Sequence, residues 1–261
     1  MKELHITSLQ NPQVKAWRAL KDHKGRAAHG LFLAEGDHMT GEALKENAAR
    51  MLLVDENAAA RYESHVQLAK EKNVDVCYLP EHVLAAVCDA KTPQGVAAVC
   101  AMPEKTSVIP ESARLIAALD GVQDPGNVGT VLRTLDAAGF DGILVDSRTA
   151  DPYGPKALRA SMGAIFRIPV YVCDLPQTLA DISQTHDLYA GALDGGPFFE
   201  RTRQKKGACI IIGNEGAGIS QKVYDVPGIT RVKLPMVGGA ESLNASVAAA
   251  IMIYDIVRRG E

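Results

Sequence analysis

Short apolar runs recur along this chain, separated by stretches in which apolar positions return every three or four residues. Those are the patterns of buried strands and of amphipathic helices. Over the first hundred residues they predict helices near 12–23, 37–48, 64–72 and 81–88 and strands near 31–35, 51–55, 74–78 and 96–101. Together these elements make a complete small α/β domain. Strands that alternate with helices need crossover connections, which implies largely parallel sheets. Residues 102–111 are polar, carry two prolines and have no helical period, so they read as a linker. The expected domains are therefore 1–105 and 113–261.

The second half opens on the buried strand Leu115-Ile-Ala-Ala-Leu119, followed by a turn rich in Gly, Pro and Asp and a helix over 127–138. Further strands are expected near 142–146, 168–172, 187–191, 208–212 and 230–234. The last element, 242–258, carries Val, Ala, Ile and Met on nearly every side, the pattern of a helix buried on most of its surface or packed against a second copy. A homodimer is the expectation. The longest apolar stretch, 247–253, is far below the ~20 residues needed to cross a bilayer. The opening Met1-Lys-Glu-Leu-His5 lacks the apolar segment of a secretory signal, so a cytoplasmic location without membrane contact is expected.

With 261 residues, 47% hydrophobic and 23% charged, the composition is that of a globular protein and excludes disordered and fibrous classes. Lys plus Arg number 28 against 31 acidic residues, so the molecule as a whole does not coat polyanions and any nucleic-acid contact must be local. Lys2, Lys15, Arg18, Lys21, Lys24 and Arg26 face only Glu3 and Asp22 within residues 1–26, and a second basic run spans 201–206. Such runs are often plain solvated surface, so they support a polyanion partner without proving one.

Five scattered cysteines with no Cys-x-x-Cys pair fit buried thiols better than disulfides or zinc. His186 is the one histidine of the second half, which disfavours a Ser-His-Asp or Cys-His hydrolase there. Neither Gly-x-Ser-x-Gly nor His-Glu-x-x-His occurs, and no metal site is expected.

Candidate chemistry concentrates in three loops at strand ends, where open α/β sheets hold their ligands. The first is Asp120-Gly-Val-Gln-Asp-Pro-Gly-Asn-Val-Gly-Thr-Val-Leu-Arg133, with Asn127 placed to cap a helix and Arg133 six residues further in. The second, Gly213-Asn-Glu-Gly-Ala-Gly218, surrounds one carboxylate with glycines spaced neither as the dinucleotide fingerprint nor as a P-loop. The third runs from Leu234-Pro-Met through Gly-Gly to Glu241-Ser-Leu-Asn-Ala-Ser246, with Ser242 placed to cap the final helix.

In order, spacing and residue type the three loops resemble the motifs of the SpoU (TrmH) family of RNA ribose 2′-O-methyltransferases, which use S-adenosylmethionine. The resemblance covers roughly residues 114–257 and rests on Asn127, Gly129 and Arg133, on Asn214, Glu215, Gly216 and Gly218, and on Pro235-Met with Glu241-Ser-Leu-Asn-Ala-Ser. Thr7-Ser-Leu-Gln-Asn-Pro12, Phe32-Leu-Ala-Glu-Gly36 and Thr92-Pro-Gln-Gly-Val96 resemble the family's substrate-binding domain, a ribosomal-protein-like α/β fold.

The resemblance implies a C-terminal parallel-sheet domain tied in a deep trefoil knot, an exception to unknotted connectivity. It implies dimers joined through the knot helices and a cofactor held by Gly213, Leu234 and Leu243 with Ile212 and Ser242 adjacent. It assigns Asn127, Arg133, Glu215 and Asn244 to catalysis. A guanidinium stays protonated, so Arg133 fits a charge clamp better than a base. The implied partner is RNA, ribosomal or transfer, with the two-domain arrangement favouring ribosomal RNA and the same chemistry on transfer RNA as an alternative; the basic residues Lys15, Arg18, Lys21, Lys24 and Arg26 are expected to meet it in part. A catalytically silent RNA-binding or assembly protein is a further alternative.

Overall fold

The computed structural model describes residues 1–104, 108–202 and 205–260, so parts of the expected linker (105–107) and of the second basic run (203–204) lie outside the described residues. The chain forms two compact units, Met1–Glu104 with Tyr153–Arg167, and the described residues of Lys105–Pro152 with Ile168–Glu261.

The first unit runs β1 (Glu3–His5), α1 (Pro12–Ala19), α2 (His23–His29), β2 (Leu31–Glu35), α3 (Asp37–Lys45), β3 (Ala49–Asp55), α4 (Glu63–Glu71), β4 (Asp75–Leu79), α5 (Glu81–Val87) and β5 (Val96–Ala101). Its sheet has the order β1-β4-β3-β5-β2. Two expectations need correction. Residues 12–23 do not make one helix, because α2 folds back so closely that a Cβ at Gly25 would lie 1.9 Å from the Ala19 carbonyl oxygen. Arg26 then reaches back from α2 to donate to the Leu20 and Lys21 carbonyls, both at 2.8 Å, satisfying acceptors just beyond α1. Nor is this sheet all parallel, since β5 runs antiparallel to both β3 and β2. After α5 the chain returns to the end where β3 finishes, with Asp55 N–H donating to the Gly95 carbonyl at 2.9 Å, and from there β5 can only run the other way.

The second unit contains β6 (Leu115–Asp120), α6 (Pro125–Ala138) and β7 (Gly142–Val145), then departs through α7 (Pro155–Ser161), which belongs to the first unit. It resumes with β8 (Val170–Val172), α8 (Leu175–Ile182), β9 (His186–Pro197), β10 (Gly207–Gly213), α9 (Gln221–Tyr224), β11 (Ile229–Lys233) and α10 (Ala245–Arg259). All six strands pair in parallel in the order β11-β9-β10-β6-β7-β8. Parallel strands covered on both faces read as continuous apolar runs, as Ile210, Ile211 and Ile212 do.

Two caps differ from expectation. Asp124, not Asn127, caps α6, accepting from Gly126 N–H at 2.6 Å ahead of a proline in the first turn. Asn244, not Ser242, caps α10, accepting from the N–H groups of Ser246 at 2.9 Å and Val247 at 3.3 Å. Nor is α10 buried all round. Ala249, Met252, Ile253 and Ile256 face inward, whereas Val247, Ile251, Tyr254 and Val257 form an exposed apolar stripe. Among the described residues no helix is long and apolar enough to cross a membrane.

Residues 153–167 lie between β7 and β8 in sequence yet complete the core of the first unit. Phe32 on β2 packs against Tyr153 at 5.2 Å and Phe166 at 6.0 Å between ring centroids. Arg167 pairs with Glu42 at 2.5 Å and Arg159 with Asp89 at 3.0 Å. Because Phe32 is 2% exposed, Phe32→Ala should lower the stability of this unit by about 3–5 kcal/mol, read as its urea midpoint in circular dichroism. A loss below about 1 kcal/mol would mean that the segment does not depend on this ring.

Candidate active site

The pairing of β6 with β10 sets Gly213 opposite Asp120, so the first and second loops leave the sheet side by side at its C-terminal edge. Glu215 bridges them. One carboxylate oxygen accepts from the Gln123 N–H at 3.1 Å, and the other from the Asp124 N–H at 3.2 Å and from Asn127 Nδ2 at 2.9 Å. Since a carboxylate only accepts, the Asn127 amide must present its nitrogen to Glu215 and its oxygen elsewhere. That oxygen accepts from Asn244 Nδ2 at 3.0 Å, because α10 packs on α6. Asn244 Oδ1 in turn accepts from the first turn of α10 and from the Ser246 hydroxyl at 2.7 Å. All three loops thus meet in one chain of hydrogen bonds with a single possible direction. Asn127 is buried rather than capping, and this contact is the reason.

The second loop is closed on itself. Asn214 Oδ1 accepts from the N–H groups of Gly216 and Ala217, its Nδ2 donates to the Gly121 carbonyl at 2.8 Å, and its backbone pairs with Gly218. A Cβ at Gly213 would lie 2.3 Å from the Gly218 carbonyl carbon, so only glycine permits this return. Burial alone would raise the Glu215 pKa, but the hydrogen bonds from Asn127, Gln123 and Asp124 more than offset it and hold the carboxyl below its ordinary value.

Arg133 stands exposed on α6, and no partner among the described residues holds its guanidinium. Of the expected cofactor residues, Gly213 and Leu234 are half-buried and Ser242 and Leu243 exposed, while Ile212 is buried in β10 opposite Leu119 and serves the core. Two further apolar side chains stand exposed in this unit, Leu193, 71% exposed just beyond the stretch where β9 pairs with both β10 and β11, which the sequence did not single out, and Val237 within the third loop. No periodicity marks either residue. Their signal is an apolar side chain with no core to enter. Above Gly218, Gly238 and Gly239 a Cβ would meet nothing within 4 Å. Exposed apolar side chains and open glycines on the loops that follow parallel strands suit a flat heterocycle with a polar tail, so the residues of these loops fit S-adenosylmethionine. His186 sits at the start of β9, at the other end of the sheet, and burial pushes its pKa down.

The other expected contacts divide sharply. Lys15, Arg18 and Lys21 line a cavity of about 280 Å³ on the first unit, and Lys24 is exposed on α2. Arg26 does not belong with them. It is 4% exposed and committed to the carbonyls after α1. In the second basic run Arg201 is buried, pairing with Asp255 at 2.5 Å and lying 3.9 Å over the Phe198 ring. Lys205 donates to the Ser183 and His186 carbonyls. Burial raises the thiol pKa to about 11 at Cys77 and about 12 at Cys88, as inert core thiols require. Among the described residues no group of three or more His, Cys, Asp or Glu could hold a metal ion.

Residues 114–254 match the SpoU rRNA Methylase family, and residues 11–98 match the MRM3-like substrate binding domain. The chain belongs to the SpoU rRNA methylase family. Membership makes it a methyltransferase with S-adenosylmethionine as methyl donor, as the three loops imply. It is 36% identical to the Bacillus subtilis 23S rRNA (guanosine(2553)-2′-O)-methyltransferase RlmP over 96% of this chain and 98% of that one. A Sinorhizobium meliloti rRNA methyltransferase solved with AdoMet bound superposes with a TM-score of 0.84 at 29% identity, covering 99% of this chain and 98% of that one. The SpoU methyltransferase AviRb of Streptomyces viridochromogenes, in complex with AdoMet, does so with a TM-score of 0.85 at 26% identity, covering 96% and 98%.

The Glu215 network carries a pH signature. A carboxyl held below its ordinary value stabilises the fold fully above the unfolded value, here 4.5, and ceases to do so as the pH falls through the folded value. The wild-type advantage in thermal midpoint over Glu215→Gln should therefore be constant near neutrality and vanish on acidification. An advantage that persists unchanged in acid would assign the stabilisation to packing instead.

Proposed function

We propose that this chain methylates a ribose 2′-hydroxyl of ribosomal RNA. The observation that carries this reading is the one-way chain Ser246, Asn244, Asn127, Glu215, which joins all three loops, while Arg133 stands exposed on the same helix as Asn127 with no partner among the described residues. The cofactor supplies an electrophilic methyl on a sulfonium. What remains for the protein is to align the attacking oxygen and to stabilise the charge that develops on it. Glu215 is a poor base while three donors hold its carboxylate, and its work is to fix Asn127. Asn127 and Asn244 then orient the ribose, and Arg133, protonated throughout, clamps the developing alkoxide and a neighbouring phosphate. Gly213, Leu234, Ser242 and Leu243 hold the cofactor, joined by Leu193.

The first unit serves as the RNA-docking domain, with Lys15, Arg18, Lys21 and Lys24 meeting phosphates, and the second carries the chemistry. Ribosomal RNA is favoured over transfer RNA by the activity for which the Bacillus subtilis relative is named, a relative that matches along nearly the whole of both chains. The same activity favours a cytoplasmic location. A homodimer is supported by the apolar stripe of Val247, Ile251, Tyr254 and Val257 on α10. The trefoil knot is supported by connectivity. β11 lies at the sheet edge beyond β9, yet the chain after it returns past β10 to pack α10 on α6.

Incubation with labelled S-adenosylmethionine and unmodified total RNA should place label in a 2′-O-methyl nucleoside of the ribosomal fraction. Label confined to transfer RNA would overturn the substrate, and label in a base would overturn the ribose assignment. Arg133→Ala should lose about 10²–10³-fold in methyl transfer while still binding cofactor, as removal of one charge-stabilising donor does. Full retained activity would take Arg133 out of the chemistry. Ile251→Glu should convert a dimer to monomers in light scattering, and a wild-type mass of one chain would dismiss the dimer.

A further inference from the structure

Asp120 is 1% exposed at the end of β6, and none of the roles given above uses it. One of its carboxylate oxygens accepts from the Ser220 N–H at 2.5 Å, at the far end of the second loop. The other accepts from Arg148, whose Nε also donates to Asp146 at 2.6 Å. Asp146 accepts from the Gly121 N–H at 3.0 Å, and the Gly121 carbonyl is the acceptor for Asn214 at the near end of the same loop. Gly121 has φ +71°, a left-handed backbone that favours glycine, and Arg148 lies alongside it. A single arginine, its side chain 58% exposed, therefore bridges the carboxylate that holds the far end of loop 213–220 and the carboxylate that holds Gly121, the acceptor at its near end.

We propose that Arg148, acting through Asp120, is a positioning residue for cofactor binding: it clasps loop 213–220 in the shape that receives S-adenosylmethionine. This rests on the reading that the loop contacts the cofactor. A buried carboxylate left without its cation turns toward water, and that turn frees the Ser220 N–H. Without the clasp the second loop still folds, because Asn214 closes it internally and Gly213 stays in β10. The cost falls on the fraction of molecules with the loop in place, which scales apparent affinity for the cofactor and leaves the chemistry of bound molecules unchanged.

The test is calorimetric titration of the full-length protein with S-adenosylmethionine, together with steady-state methyl transfer and thermal midpoints, for wild type, Arg148→Ala, Arg148→Lys, Asp120→Asn and the Arg148→Ala/Asp120→Asn double variant. Arg148→Ala should raise Kd and KM for S-adenosylmethionine about tenfold with kcat at saturation within about twofold. Arg148→Lys should recover only part of the loss, since one ammonium cannot hold both carboxylates in the geometry of a planar fork. The double variant should be no worse than Arg148→Ala, because a neutral amide at position 120 needs no cation yet still accepts from Ser220. Wild-type binding with an unchanged Kd in Arg148→Ala would overturn the clasp alone, as would a lowered thermal midpoint with unchanged Kd. Additive losses in the double variant would overturn the coupling to Asp120. No binding by wild type would overturn the functional reading on which the clasp stands.

Discussion

The site depends on a carboxylate that can only accept hydrogen bonds. Once Glu215 faces Asn127, the orientation of one amide dictates that of the next, and the chain of donors ends in the backbone of α10. Each member is weak by itself, since a hydrogen bond contributes about 0.5–1.5 kcal/mol net. Their joint effect is geometric. The start of α6, the second loop and the start of α10 share one alignment, and turning either amide over would set like atoms against each other.

Sheet topology makes that meeting possible. In an all-parallel sheet the strand ends of one sense lie along a single edge, and the order β11-β9-β10-β6 sets the strands that precede the three loops side by side along it with β9. The unit's one histidine lies at the opposite end and is held toward its neutral form. At the edge from which the three loops leave, the Glu215 carboxylate is tied up by donors and fixes the amides of Asn127 and, through it, Asn244. Such fixed amides suit a reaction whose electrophile comes from the cofactor and whose demand on the protein is alignment and charge stabilisation.

Arginines that look alike in sequence do unlike work. Arg18 faces a surface cavity among lysines, Arg26 is buried against backbone carbonyls, and Arg201 lies between an aromatic ring and a buried carboxylate. Arg159 and Arg167 hold a segment taken from the midst of the second unit's sequence into the first unit's core. Local charge density separates none of these roles, because whether a guanidinium meets water or a buried carboxylate depends on residues far away in sequence.

The sequence by itself determined the α/β class, the positions of every described strand but β1 and the loops that carry the chemistry, because apolar period and glycine placement are local properties of the chain. It placed Asn127, Arg133, Glu215 and Asn244 in those loops through a family resemblance. Tertiary structure alone decided what these residues touch. Asn127 yields the capping role to Asp124 and turns inward because Glu215, 88 residues away, and Asn244, 117 residues away, come to it. It also decided that residues 12–23 break into two helices, that β5 reverses and that Arg26 and Arg201 leave the surface. Each of these outcomes rests on the approach of distant backbone or on a buried charge needing a partner, and no local pattern encodes either.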